Sequence, residues 1–305
     1  VKAVQFDRYG GVDVLEVRDV ERPAPAAGEV LVAVKAAGIN PGEIPIREGY
    51  LHDRWPATFP SGEGTDLAGV VEELGEGVSG FAVGDEVLGW SERRSSHAEL
   101  VVVPATQLTA KPAALSWEVA GSLFVAAMAA YAGVEAVAPK AGEVVAVSGA
   151  AGGVGSFTVQ LALRTGARVI GLASEPNHAW LRSRGAIPVS YGEGQGERIM
   201  EAAGGQLDAF IDTFGGGYVA LAIELGVAPE RINTIADFDA IERLGVKGMG
   251  THSVGSAEKL AEVAALVADG EIEVPIANTY PLAQVREAFE ELSARKTHGK
   301  IVLVP

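Results

Sequence analysis

The 305-residue chain contains no cysteine. That absence removes disulfide staples and thiolate metal ligands together, excluding a disulfide-framed scaffold and any Cys-based zinc site. The five histidines, at 52, 97, 178, 252 and 298, are scattered, and none forms a close-spaced pair. A bound metal is therefore not expected. Long apolar runs are missing too. None reaches the roughly 20 residues that span a bilayer, and the most apolar stretch, Val119–Ala138, carries Glu135 and reads as a buried helix. No Lys/Arg cluster exceeds two adjacent residues, and the formal net charge is -16. Nucleic acid needs a basic face to neutralise its phosphates, so it is not an expected partner. No basic region followed by an apolar stretch opens the sequence. A secretory signal is thus not expected, and a cytoplasmic location is the default expectation.

What is present is an ordered globular composition, 48% apolar and 21% charged, with a length that suits two domains. The first third is rich in β signals. Glu29–Ala36, Gly69–Glu73, Glu86–Gly89 and Ala98–Val103 read as strands separated by Gly, Pro and Asp clusters. Near Leu115 the pattern changes. Ser116–Ala138 reads as one helix with Ser116 as N-cap. Strands at Val144–Val147, Arg168–Ala173, Asp208–Asp212 and Arg231–Ile235 then alternate with helices at Val154–Gly166, Pro176–Arg184 and Tyr218–Gly226. A last strand near Gly245–Gly250 is expected to close this region. Such alternation predicts an α/β fold with a doubly wound parallel sheet. Helices at Glu258–Asp269 and Leu282–Arg295 and a strand at Lys300–Val304 follow.

The segment VVAVSGAAGGVG, Val144–Gly155, is a strand, a glycine-rich turn and the start of a helix. A turn that grips a diphosphate must bring backbone N–H groups close to anionic oxygens, which side chains obstruct. Gly149, Ala150, Ala151, Gly152, Gly153, Val154 and Gly155 are the candidate cradle, although the strict G-x-G-x-x-G would place glycine where Ala150 stands. The next strand ends in Ala173 and Ser174. A small hydroxyl there, with Asn177, His178 and Arg182 nearby and Tyr191 closing the adenosine side, suits a ribose 2′-phosphate and favours NADPH. Glu175 is the competing ribose ligand, which NADH would require. Thr213, Phe214 and Gly215 follow the strand at Asp208–Asp212. With Ile235, Gly250 and Thr251 they occupy carboxyl edges where ligands bind in such sheets.

These motifs fall in order with AGIN at 37–40, GTDLAGVV at 64–71, VGDEV at 83–87 and THGKIVL at 297–303. Together they resemble the medium-chain dehydrogenase/reductase superfamily, in its zinc-free quinone oxidoreductase (zeta-crystallin-like) branch. The resemblance covers essentially the whole chain. It implies a GroES-like β-rich catalytic domain from residues 1–114 and 254–305, and a Rossmann NADP-binding domain from residues 115–253. It also implies a homodimer. Zinc-dependent relatives carry a cysteine where this chain has Asn40, and a His-Glu pair where it has Thr65-Asp66. The resemblance places Asn40 beside the nicotinamide ribose and ring. Tyr50 is the candidate donor to a substrate oxygen, although an aromatic usually stands one residue later, at Leu51. Tyr131, Arg295 and Lys300 are the remaining candidate cofactor contacts. His97 reads as a core or rim histidine, and Asp66 as a loop anchor.

Without zinc, a simple alcohol has no Lewis acid to polarise it. A quinone or an α,β-unsaturated carbonyl needs less help, because added hydride sends negative charge to a distant oxygen. The expected function is therefore an NADPH-dependent reductase of such substrates. The alternatives are an enoyl-thioester or biosynthetic tailoring reductase, which would want a basic groove that only Arg93-Arg94 approaches, and an NADPH-binding sensor or structural protein with little turnover.

Overall fold

In the computed structural model, which describes all residues from Val1 to Pro305, the β signals at the two chain ends converge. One unit comprises Val1–Val125, Ser256–Glu271 and Ile276–Pro305; the other comprises Ala126–Gly255 and Ile272–Pro275. In the first unit β1 (Lys2–Phe6), β2 (Glu16–Asp19) and β4 (Ser61–Gly62) form a small sheet around β1. The larger sheet runs β14 (Ile276–Pro281), β15 (Lys300–Val304), β3 (Glu29–Gly38), β5 (Asp66–Leu74), β6 (Glu86–Trp90) and β8 (Leu108–Ala110), with β7 (Leu100–Pro104) also paired to β3. Buried Val30, Val32, Leu67, Val71, Val101 and Val103 fill its interior. A second core gathers Phe6, Leu15, Ile39, Phe289, Ile301 and Leu303, tying the first strand to the last. β15 pairs antiparallel with β3, setting Val302 opposite Gly38.

The second unit holds a parallel sheet in the order β11 (Ile187–Val189), β10 (Arg168–Leu172), β9 (Val144–Val147), β12 (Ala209–Asp212) and β13 (Ile232–Thr234). The strands are mostly apolar, as expected where helices cover both faces; all of β9 and β12 is buried, with Asp212 closing the latter. The order reverses at β9. The loops after β9, β10 and β12 therefore flank the crevice at the carboxyl edge where such sheets bind ligands. This is the doubly wound arrangement expected from the strand–helix alternation. No helix of the protein is long and apolar enough to cross a membrane.

Some elements differ from the sequence reading. The helix expected over Ser116–Ala138 is two, Trp117–Ala120 and Phe124–Val137. The break lies where the chain presses on β3. A Cβ on Gly121 would sit 2.3 Å from the Ala36 carbonyl oxygen, and Gly38 N–H donates to the Gly121 carbonyl. The same docking moves the unit boundary from residue 114 to Val125, since Val125 N–H donates to Asp66 Oδ1 in the first unit at 2.8 Å. Residues 272–275 join the second unit because Gln160 brackets the Glu273 backbone. Its Nε2 donates to the carbonyl at 2.9 Å, and its Oε1 accepts from the N–H at 2.8 Å. The strand expected near Gly245–Gly250 is only a single parallel bridge, Asn233 to Lys247. Gly245 turns the chain at φ +69°, and a side chain at Gly248 would strike Ile241, so the segment serves packing rather than strand pairing.

Candidate functional site

The site residues form two local constellations, one in each unit. In the second unit the loop after β9 turns at Gly149, which has φ +57°. Gly152 N–H closes the turn on the Gly149 carbonyl, and Ala150 N–H donates to the Leu172 carbonyl. The helix Gly153–Arg164 starts at once. Its N-cap is Gly152, which has no side chain to satisfy the first-turn N–H groups. A helix start leaves those donors without helical partners and concentrates partial positive charge there. Gly155 is needed for a different reason: a Cβ there would lie 2.0 Å from the Gly149 carbonyl oxygen. Ala150 and Ala151 point into the core, at 0% and 4% exposure, so only their backbone can face a ligand. The half-exposed rim consists of Gly149, Gly152, Gly153 and Val154.

Among the residues that the sequence assigns to the adenosine, Ser174 Oγ accepts from Asn177 Nδ2 at 3.0 Å. His178 Nε2 lies 3.2 Å from the Ala173 carbonyl. Glu175 opens a single 3-10 turn, Glu175–Asn177, with Pro176 inside it. Arg182 is exposed and Tyr191 is 56% exposed. The sequence reading missed Arg198, whose guanidinium donates to the carbonyls of Ser190 and Glu193 at 2.9 and 2.8 Å and so frames the loop carrying Tyr191. With His178 and Ser190 it lines a surface cavity of about 410 Å³. Thr213, Phe214 and Gly215 follow β12 directly, and Ile235 N–H donates to the Asp212 carbonyl. Gly250 precedes the short helix Thr251–Val254, and Tyr131 lies half-buried on the helix Phe124–Val137.

In the first unit, Asn40 is 4% exposed and sits in a buried polar knot. Its Nδ2 donates to Glu43 Oε1 at 3.3 Å and Asp66 Oδ2 at 3.2 Å. Its backbone N–H donates to Glu43 Oε2 at 2.9 Å, so the one carboxylate holds both the main chain and the side chain of Asn40. Lys300, on β15, donates to Asn40 Oδ1, to the Ile39 carbonyl at 3.2 Å and to Asp66 Oδ2 at 3.4 Å. The sequence reading sends Lys300 to the cofactor. The structure instead spends its three ammonium protons inside the knot, at 3% exposure. Arg295, on the turn before β15, is exposed with φ +53°. Tyr50 is 79% exposed and stands apart from the knot's buried hydrogen bonds. No group of three or more His, Asp or Glu side chains is placed to hold a metal ion.

A second buried ion pair lies nearby in the same unit. Arg47 donates to Glu63 Oε1 at 3.3 Å, with side-chain exposures of 2% and 4%, and stacks 4.6 Å from the centre of the Phe289 ring. His97 packs against the same ring, and its Nε2 lies 3.4 Å from the Gly38 carbonyl. Burial pushes the Glu63 carboxyl up to about 8 against the pull of Arg47. Burial likewise raises Glu43 to about 7, despite the Asn40 N–H bond and Lys300. His97 is held down to about 4, again mainly by burial. The signs oppose each other. Carboxylates raised on folding contribute stability that is full below their unfolded value near 4.5 and is lost as pH rises through 7 and 8. His97, lowered from 6.5, contributes stability that is present above 6.5 and is lost as pH falls through 4. Thermal melts should therefore show the first unit losing stability from pH 6 towards pH 9, and Glu63→Gln should flatten that alkaline limb.

Residues 26–136 match the alcohol dehydrogenase GroES-like domain family, and residues 189–303 match the zinc-binding dehydrogenase family. A quinone oxidoreductase of Pseudomonas aeruginosa is 31% identical over 100% of this chain and 99% of the relative. The chain belongs to the medium-chain dehydrogenase/reductase superfamily, in its quinone oxidoreductase branch. The rat quinone oxidoreductase is 30% identical over 100% of this chain and 98% of its own. Among solved structures, the quinone oxidoreductase of Coxiella burnetii superimposes with a TM-score of 0.88 at 29% identity, covering 100% of this chain and 99% of that one. The Escherichia coli quinone oxidoreductase complexed with NADPH gives 0.82 at 25% identity, covering all of both chains. Within this branch of the superfamily the GroES-like unit and the doubly wound unit are the two halves just described. Sequence reading overlooked Glu43; its only local signal is the Asn-x-x-Glu spacing from Asn40, and the helix itself starts at Glu43. Arg47 and Glu63 left no signal, because nothing in a sequence pairs charges 16 residues apart across a core.

Proposed function

We propose that this oxidoreductase is a zinc-independent, NADPH-dependent reductase of quinones or α,β-unsaturated carbonyls. The observation that carries the reading is the position of Lys300. A zinc site at this point of the fold would draw on residues 40, 65 and 66, and Thr65 offers no imidazole. Here residue 40 is an amide whose oxygen accepts from the Lys300 ammonium, and Asp66 is bonded to the same ammonium. A cation of the protein's own already satisfies these oxygens, and zinc needs three or four converging N, S or O ligands. The donor set does not fit zinc, although part of the chain matches a family described as zinc-binding.

The second unit fits a nicotinamide dinucleotide. The uncapped start of the helix Gly153–Arg164 offers N–H groups and dipole to the diphosphate. Ser174, Asn177, His178, Arg182 and Tyr191 bound the region that would take the 2′-phosphate, with Arg198 fixing the loop of Tyr191. Thr213–Gly215, Ile235, Gly250, Thr251 and Tyr131 supply further surface of the same unit. When bound, NADPH provides hydride for an electron-poor carbon of the substrate. The chain's part is to hold the dinucleotide, to keep the Asn40 loop rigid through Glu43, Asp66 and Lys300, and to offer a proton donor such as the exposed Tyr50 hydroxyl.

The test is turnover. Quinones, enones and enoyl thioesters are presented with NADPH and with NADH, and loss of dihydronicotinamide absorbance is followed. Quinone or enone reduction is expected, with NADPH binding about tenfold or more tighter than NADH, the scale set by one charge-assisted contact to phosphate. A stoichiometric zinc ion by elemental analysis would overturn the metal-free reading. Turnover of thioesters alone would favour a tailoring reductase, and binding without turnover would favour a sensor.

A further inference from the structure

Asp212 closes β12 with a carboxylate at 0% exposure. Its donors are all neutral. Oδ1 accepts from Ser148 Oγ at 2.6 Å, Phe214 N at 3.0 Å and Gly215 N at 2.9 Å, and Oδ2 accepts from Thr234 Oγ1 at 2.8 Å. Each hydroxyl passes the order on. Ser148 Oγ, its proton given to Asp212, accepts from Thr213 N at 3.0 Å, while Thr213 Oγ1 donates to the Ser148 carbonyl at 2.7 Å. Thr234 Oγ1 accepts from the N–H groups of Ala236 and Asp237 at 3.2 and 3.1 Å. One buried charge thus joins the loops after β9, β12 and β13.

Those loops have reason to need it. Ser148 is the residue before the glycine turn. After β12 the chain runs through Gly215, Gly216 and Gly217, all with left-handed φ of +70° to +92°. Three consecutive glycines carry a large conformational entropy to be lost on ordering. Asp212 fixes the entry to that run through two N–H bonds. It also holds Thr213 against Gly149, where an added Cβ would lie 3.1 Å from Thr213 Oγ1. A carboxylate accepting several hydrogen bonds in a dry site is stronger than the same bonds in water, and is costly to leave unmatched.

We infer that Asp212 is a positioning residue for the dinucleotide, acting through Ser148 and Thr234 to hold three ligand-facing loops in one geometry without touching the ligand. The inference rests on the dinucleotide reading given above. It separates from a purely structural role in what it moves: the KM and Kd for NADPH, with much less effect on kcat once NADPH saturates.

The experiment uses the full chain. Asp212→Asn keeps the shape but puts an amide nitrogen against a donor. Thr234→Val removes the Oδ2 partner and with it the acceptor of the Ala236 and Asp237 N–H groups, and Thr234→Ser restores the hydroxyl for both. NADPH affinity by calorimetry, the kinetic constants with a quinone, and melting temperature are measured for each. Asp212→Asn is expected to weaken NADPH binding about tenfold or more, the scale of one hydrogen bond to a charged group, with kcat falling less than about threefold and quinone KM unmoved. Thr234→Val should show a smaller loss of the same kind that Thr234→Ser reverses. If Asp212→Asn does not fold, the Thr234 pair carries the test. Affinity equal to the parent's in Thr234→Val and Asp212→Asn overturns the inference, as does a kcat loss as large as the affinity loss. Absence of NADPH binding by the parent protein overturns the dinucleotide reading itself, and the inference with it.

Discussion

Gly152→Asp is expected to abolish NADPH binding while leaving the protein folded. Gly152 has ordinary extended backbone, φ -78° and ψ -178°, and a Cβ there would meet only the Gly149 carbonyl oxygen at 3.3 Å. A side chain at this position asks only a small shift of that carbonyl. Aspartate is moreover among the preferred N-cap residues, and its carboxylate would accept the first-turn N–H groups of the helix Gly153–Arg164. The substitution thus fills the anion site with an anion of its own. Melting temperature should hold or rise, and calorimetry should show loss of roughly 100-fold or more in affinity, since both the donors and the sign of the local charge are lost. Retained affinity would remove the loop from the cofactor site. Gly155→Ala is the contrasting control: its Cβ collides with the Gly149 carbonyl, so it should lower stability and binding together.

At pH 9 Arg47→Met is expected to cost the first unit about 3–5 kcal/mol, because it strands an ionised carboxyl in a dry core. That is a large part of the about 5–15 kcal/mol by which domains are stable. The guanidinium is lost from the Glu63 oxygen and from the Phe289 ring at once. The cost should grow with pH. At low pH Glu63, whose carboxyl is already raised to about 8, simply keeps its proton; at high pH it must be carried as an unpaired charge or unfold the unit. Denaturant melts at pH 6 and pH 9 measure the difference. The double variant Arg47→Met/Glu63→Leu should recover most of the loss, because buried ion pairs exchange for apolar side chains at little net cost. Equal destabilisation at both pH values, or no recovery, would mean the pair does not govern this core.

The parts of the fold that repeat a period were legible in the sequence. The apolar strands at Val144–Val147 and Arg168–Leu172 and the glycine turn between strand and helix stand where their patterning places them, because a doubly wound sheet buries whole strands and tells through local composition. What escaped was decided by distant contacts. The helix over 116–138 breaks because Gly121 and Ser122 meet β3, which no local propensity encodes. The strand β14 leaves no local signal because its half-exposed IANTYP sequence mixes apolar and polar residues without alternation. In the site, backbone features were readable and side-chain networks were not. Gly149–Gly155 follows from chemistry that only backbone can do. The terminal HGK turn suggests that Lys300 reaches a ligand, whereas its partners lie 234 to 261 residues earlier in the chain.

That distance has a consequence for how the protein is made. Asp66 and the Asn40 loop leave the ribosome long before Lys300 does, and the whole parallel-sheet unit is synthesised between them. Domains form as their residues emerge, at a few to some 20 residues per second. The nascent amino-terminal half must therefore wait with its carboxylates uncompensated and the β15 edge of β3 uncovered. Its closing step is the arrival of one strand that brings pairing partner and countercharge together. A stalled or truncated polypeptide ending before residue 300 would carry a finished parallel-sheet unit and, in the other unit, an open sheet edge, the kind of surface chaperones and proteases engage first.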